Sequence, residues 1–159
     1  MTARALLLTA MTGLAFLAPD EAQAIVCAGP VPCGCTVSAS TIPFGTYDPL
    51  SSVPLDSVGS INMTCSGSAS AAATVTIELN AGSSGNIADR QLKAGARALH
   101  YNLYLDPART RVWGNDGASS LMTPFATGLK TYTIYGRVAP LQRAGVGAYR
   151  DSITVTIVY

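Results

Sequence analysis

Ser152-Ile153-Thr154-Val155-Thr156-Ile157-Val158-Tyr159 is the stretch whose reading decides the fold. Ile153, Val155, Ile157 and Tyr159 fall on one side of an extended chain; Ser152, Thr154, Thr156 and Val158 fall on the other. Side chains of a strand point alternately to its two faces, so a period of two marks one face for a core. β-Branched residues dominate, and these suit a pleated surface. With Asp151 as its turn residue, this is a final β-strand running from Asp151 to Tyr159.

The same pattern recurs upstream. Thr74 to Leu79 sets Val75, Ile77 and Leu79 against Thr74, Thr76 and Glu78. Ala98 to Leu105 puts Leu99, Tyr101, Leu103 and Leu105 on one face, and Asp106-Pro107 ends it. Thr131 to Val138 alternates Tyr132, Ile134 and Gly136 against Thr133, Tyr135 and Arg137. In Val58 to Cys65, Val58, the Ile61 region, Met63 and Cys65 favour one side. Thr36 to Ser40 is a first strand, and Arg111-Val112-Trp113 a short one.

Turn chemistry separates these runs: Pro43 to Pro49, Gly82-Ser83-Ser84-Gly85, Gly114-Asn115-Asp116-Gly117 and Pro140 to Gly147. After the first residues no stretch sustains a helical apolar pattern with caps. About seven short strands imply an all-β fold, a sandwich of two antiparallel sheets.

The first 24 residues have a different character. Arg4 supplies a positive start, Ala5 to Ala18 is almost wholly apolar, and Ala22-Gln23-Ala24 offers a small-x-small cleavage site. This is the layout of a secretory signal peptide, cut after Ala24. The apolar run is shorter than the ~20 residues a membrane span needs. Residues 25–34 then form a short Cys/Pro/Gly-rich segment, and residues 35–159 the domain. No later run is long and apolar enough to span a membrane, so the expected mature chain is soluble.

That mature chain has 135 residues, one domain's worth. It carries nine basic and seven acidic residues, a formal +2, scattered without runs. Charge therefore gives no support to nucleic-acid or membrane-surface binding.

All four cysteines, Cys27, Cys33, Cys35 and Cys65, lie in it, and an even count in an exported chain argues for disulfides. Three pairings are possible and sequence does not choose among them. The preferred one joins Cys35 to Cys65 across the first two core strands and leaves Cys27 and Cys33 to close a small loop. A metal site at Cys33-Gly34-Cys35 is the weaker reading, since structural zinc needs four placed ligands and the chain has one histidine.

Catalytic chemistry finds little purchase. His100, the single histidine, has the opposite parity to Leu99 and Tyr101 and points to solvent. No G-x-S-x-G elbow occurs. Glu78 is the one glutamate of the mature chain and faces outward; Asp89-Arg90 is a local ion pair or a loop-fixing contact. Trp113 is core or rim packing rather than a sugar platform. No phosphate loop or dinucleotide fingerprint is present. The expectation is no enzyme, no cofactor and no metal.

In order along the chain stand Cys35-Thr36-Val37, Phe44-Gly45-Thr46-Tyr47, Met63-Thr64-Cys65, Leu79-Asn80-Ala81-Gly82, Asp89-Arg90, Leu99 to Tyr104, Arg111 to Asn115, Tyr135 to Val138 and Gly147 to Ile157. This ordered set resembles the spore coat protein U domain family, which also supplies subunits of archaic chaperone–usher pili. The resemblance implies an immunoglobulin-like sandwich lacking its final strand. It further implies an apolar groove beside the last strand, with Ile153, Val155, Ile157 and Tyr159 as lining residues. A periplasmic chaperone would fill the groove first, and a neighbouring subunit's strand would replace it, with an outer-membrane usher as assembly partner. The chain would pass through the periplasm to the cell surface.

The residues agree in one respect. No run follows the last strand to cover its far edge, and an uncovered apolar edge invites a partner. They also depart from polymerising members. Ile25 to Gly34 is short and holds Gly29, Pro30 and Pro32, which suit a sheet interior poorly. The main expectation is thus a secreted structural subunit of a pilus or coat. The alternatives are a tip-like adhesin or binding module that accepts but does not donate a strand, and a stand-alone secreted coat protein.

Overall fold

Period-two strands become two packed sheets in a computed structural model, which describes residues 2–6, 24–25, 34–67 and 73–158. Among these residues ten strands appear in the order β1 (Thr2–Leu6), β2 (Ala24–Ile25), β3 (Gly34–Ala39), β4 (Leu55–Ser66), β5 (Thr74–Leu79), β6 (Arg90–Ala94), β7 (Arg97–Tyr104), β8 (Leu121–Pro124), β9 (Gly128–Val138) and β10 (Thr154–Val158). One sheet runs β1-β10-β5-β8 and the other β2-β3-β4-β9-β7-β6, all neighbours antiparallel. This is an immunoglobulin-like β-sandwich. Its helical content among the described residues is one short 3-10 turn, Gly82–Ser84.

The inward rows are the alternating sets of the sequence. Ile61, Met63 and Cys65 on β4, Val75, Ile77 and Leu79 on β5, Leu99, Tyr101 and Leu103 on β7, Ile134 and Val138 on β9, and Val155 and Ile157 on β10 are all buried. Trp113 is buried with them, and its indole N–H donates to the Ile77 carbonyl at 3.0 Å, so the core reading of that residue holds. Cys35 faces Cys65 directly in the β3–β4 register, and the two are disulfide-bonded. Cys27 and Cys33 lie outside the described residues.

Four local readings need correction. Val58 does not share a side with Met63 and Cys65: it is 53% exposed, one step out of phase with Ile61. The inward position beside it is Gly59, and Ile42 fills that space; a Cβ there would come within 2.6 Å of Ile42 Cγ1. Strand β6 was hidden because Leu92 is its one large apolar residue among Arg90, Gln91 and Lys93. Strand β8 was hidden because Pro124 ends it; it sits at a sheet edge, where a missing N–H is tolerated. Arg111 to Trp113 forms a single bridge, Val112 to Tyr104, rather than a strand.

Candidate functional site

Strand β10 has two different edges. Toward β5, the N–H of Asn80 donates to the Thr154 carbonyl at 3.1 Å, and Val155 to Val158 pair with Leu79 to Thr76. Antiparallel backbone groups alternate in direction, so the N–H and C=O of Ile153, Val155 and Ile157 aim at the opposite, outer edge. The same three residues turn their side chains inward, and all three are buried. In the structure β1 occupies that outer edge, with Thr2 opposite Val158 and Leu6 opposite Thr154. Strand β1 also lies against β3, so its seat bridges the two sheets between β10 and β3. Tyr159 lies outside the described residues.

Beyond Leu6 this seat opens into a cleft of about 560 Å³. One wall is 41–47, the continuation of β3. The other is 144 and 146–151, the segment leading into β10, with Ile153 at its end. The floor comes from Leu92, Leu99, Tyr101, Leu103, Leu55 and Val138.

Glycine makes this arrangement possible. A Cβ at Gly136 would stand 2.7 Å from Phe44 Cζ and 3.2 Å from Ile42 Cγ2, so its absence lets 41–47 lie across the inner face of the sheet. Phe44 then meets Tyr101 edge-to-face, with ring centroids 5.8 Å apart.

The walls are tied down by hydrogen bonds. The Tyr47 hydroxyl donates to the Ala139 carbonyl at 3.0 Å and accepts the Gln142 N–H at 2.7 Å. Arg150 and Lys93 exchange backbone bonds of 2.9 and 2.7 Å, which fixes the second wall to β6. Asp151 accepts from the Tyr101 hydroxyl at 2.7 Å and from the N–H groups of Ser83 and Ser152 at 2.8 and 2.9 Å. Burial first, and the Asp151 carboxylate second, push the Tyr101 phenol well above the usual tyrosine range, so it stays a donor. Tyr47, Tyr101 and Asp151 are thus engaged in hydrogen bonds, and most of the residues lining the cleft are apolar.

Behind the floor sits Arg90, fully buried. Its guanidinium donates to the carbonyls of Leu79, Asn80 and Trp113 and to Asn102 Oδ1, at 2.7 to 3.1 Å. Burial lowers its pKa to about 10, which leaves it charged at neutral pH. Asp89 is not its partner, contrary to the ion pair read from their adjacency. Alternation sends Arg90 inward and Asp89 outward, where Asp89 Oδ1 meets His100 Nδ1 at 2.6 Å. That hydrogen bond chiefly holds the Asp89 carboxyl below its ordinary value.

Of the sequence-marked lining residues, Ile153 reaches the cleft, while Val155 and Ile157 lie along the narrower part under β1. Sequence reading missed the aromatic walls, Phe44, Tyr47 and Tyr149. The Phe44-Gly45-Thr46-Tyr47 run was visible as a landmark, but nothing local tells that it crosses the sheet at two glycines. His100 is half-exposed with Asp89 and Gln142 as neighbours, and among the described residues no serine hydroxyl bonds it. Among the described residues no group of three or more His, Cys, Asp or Glu side chains comes together.

Two antiparallel sheets packed face to face define a class, the immunoglobulin-like β-sandwich domain. Comparison with known proteins narrows this. The Spore Coat Protein U domain model matches residues 24–156. Protein U of Myxococcus xanthus is 32% identical over 137 residues, covering 79% of this chain and 75% of that protein. The chain belongs to the Spore Coat Protein U domain family. Its fold is also that of a chain in the CsuC–CsuE chaperone–tip adhesion subunit pre-assembly complex from archaic chaperone-usher Csu pili of Acinetobacter baumannii. The TM-score is 0.57 at 22% identity, over 80% of this chain and 40% of that one.

Proposed function

We propose that this protein is a structural subunit of an exported surface assembly, a pilus or a coat, joined to its partners by strand addition at the outer edge of β10. The observation that carries the reading is the seat itself: β10 takes a register of five pairs with Thr2–Leu6 along an edge whose inward residues are all apolar. Residues 2–6 belong to the expected leader, and its cleavage after Ala24 takes that strand away. The bared edge then presents unpaired backbone groups and an apolar groove, which a partner's strand satisfies. Family membership and the pilus-subunit fold support a periplasmic chaperone as first occupant, an usher as assembly platform and other subunits as later occupants.

Expression of residues 25–159 alone and with a candidate chaperone tests the reading. The chain alone should be only marginally stable and prone to aggregate, and co-expression should yield a one-to-one complex. A stable, monomeric, cooperatively unfolding protein without any partner would overturn it.

A tip position, accepting a strand without passing one on, is favoured by Gly29, Pro30 and Pro32 in the segment that would have to serve as donor. If a peptide of Ile25 to Gly34 fills the groove of another subunit, the tip position falls and the shaft position stands.

A further inference from the structure

We infer that the outer face of the six-stranded sheet binds an acidic polysaccharide, whose sugar rings lie along a row formed by Val58, Tyr135, Tyr104 and Val112 while a ring carboxylate meets Arg109 and Arg137. The inference goes beyond strand addition, and its site stands on the sheet that does not contain β10.

Register builds the row. On β9, Ile134 and Val138 are buried and Gly136 faces Phe44, so Tyr135 and Arg137 point away from the core. Tyr135 stands opposite Val58 on β4 and opposite Tyr104 on β7, and Tyr104 is bridged to Val112. Directly opposed residues share a face. Four apolar or aromatic side chains therefore stand side by side across the strands, over about 14 Å at the usual strand spacing. Val58 is exposed, and the other three are partly exposed.

Polar groups flank the row on both sides. On one side the hydroxyls of Ser60 and Thr133 stand opposite each other. On the other, Asp56 accepts from Arg137 Nε and Nη2 at 2.7 and 2.8 Å. Arg109 completes this side: its Nη1 lies 3.3 Å from Asp56, and its Cζ 5.8 Å from the centroid of the Tyr135 ring. The backbone of Arg109 has a φ of 58°, which a residue with a Cβ seldom adopts, so the loop holds local strain to keep the guanidinium there. Asp106 accepts the N–H groups of Thr110 and Arg111 and ties that loop from within.

Charge and unspent donors decide the ligand. Arg109, Arg111 and Arg137 outnumber Asp56 and Asp106 by one. The hydrogen bond from Arg137 chiefly holds the Asp56 carboxyl below its ordinary value, so it is ionised and shared by two arginines. Among the described residues Arg137 Nη1 and Arg109 Nη2 donate to no protein group, and no buried side-chain nitrogen lacks a partner, so both donors open to solvent. A carboxylate is the acceptor that suits two such donors. The strands decide between sugar and peptide. β4, β9 and β7 are each paired on both sides, so this face offers a peptide no free backbone edge to extend. A sugar needs side chains alone: its apolar ring face lies on aromatic surface, and its hydroxyls meet Ser60, Thr133 and Asp56 at the sides.

Oligogalacturonate, its methyl ester and an oligoglutamate of equal charge are the probes, titrated by calorimetry against the exported protein. The galacturonate should bind about tenfold tighter than its ester, and tighter than the oligoglutamate. Rising salt should weaken the galacturonate and spare the ester, a measurement that needs no variant. Tyr104→Ala should weaken acid and ester alike by about tenfold, and Tyr104→Phe should keep both. Arg137→Gln should erase the preference for the acid while ester binding persists. Met122→Ala, exposed on the outer face of the other sheet, should change neither.

Failure of both sugars to bind, or full binding by Tyr104→Ala, overturns the proposal. Oligoglutamate binding as tightly as galacturonate also overturns it and makes the partner an acidic polypeptide. No outcome of these titrations bears on strand addition at β10, whose test is separate.

Discussion

Arg90 shows what one residue does for both sheets. It stands on β6 in the six-stranded sheet and reaches the ends of β5, Leu79 and Asn80, in the other. It also holds the Trp113 carbonyl and, through Asn102, the loop carbonyls of Ile87 and Ala88. Removing it strands several buried acceptors at once. Arg90→Met should therefore cost about 3–5 kcal/mol in urea unfolding. Arg90→Lys should recover little of this, because one ammonium cannot span acceptors that a planar fork reaches together. A loss below about 1 kcal/mol for Arg90→Met would show the network to be incidental. Of the two readings of Asp89-Arg90, Arg90 makes the loop-fixing contact, through Asn102 and the Trp113 carbonyl, and not the local ion pair. In a strand, adjacent residues point to opposite faces, so adjacency argues against it.

At the scale of elements, legibility followed burial. Thr74 to Leu79 was identified to the residue, and β7, β9 and β10 to within a few, because each buries a clean row of large apolar side chains. β6 and β8 were missed because their inward rows are short and their edges polar or proline-ended. The disulfide links the best-read part of the chain to its edge. Among the described residues β3 has β4 on one side and the two residues of β2 on the other, and its continuation, 41–47, forms one wall of the cleft. With a sequence separation of 30, the Cys35–Cys65 bond should contribute about 3–4 kcal/mol by restricting the unfolded chain. The double substitution Cys35→Ala with Cys65→Ala should lower the urea midpoint accordingly. Because β3 frays first, its amide protection should fall more than that of β7. Uniform loss across both strands would count against a special role for β3.

At the scale of the whole molecule, the proposed acceptor seat belongs to no single element. The cleft draws its lining from 41–47, Leu55 of β4, β6, β7, β9 and 144–153, segments far apart in the chain, so reading single strands by their period of two could not assemble it. Its consequence is also global. A strand added at the outer edge of β10 would also pack against β3, as β1 does, so on the proposed reading stability becomes linked to occupancy. A strand that binds the folded chain alone raises stability by about 2.7 kcal/mol at a hundredfold excess over Kd. In the chain without residues 1–24, the urea midpoint should then climb with the logarithm of peptide concentration. Hydrogen exchange gives the sharper readout. Thr154 and Thr156 face β5 and should be protected with or without peptide. Ile153, Val155 and Ile157 face the outer edge, so their amides should exchange fast in the empty groove and slow together when a strand enters. Equal protection of all five amides in the peptide-free chain would mean that the outer edge is already paired, and strand addition at β10 would be excluded.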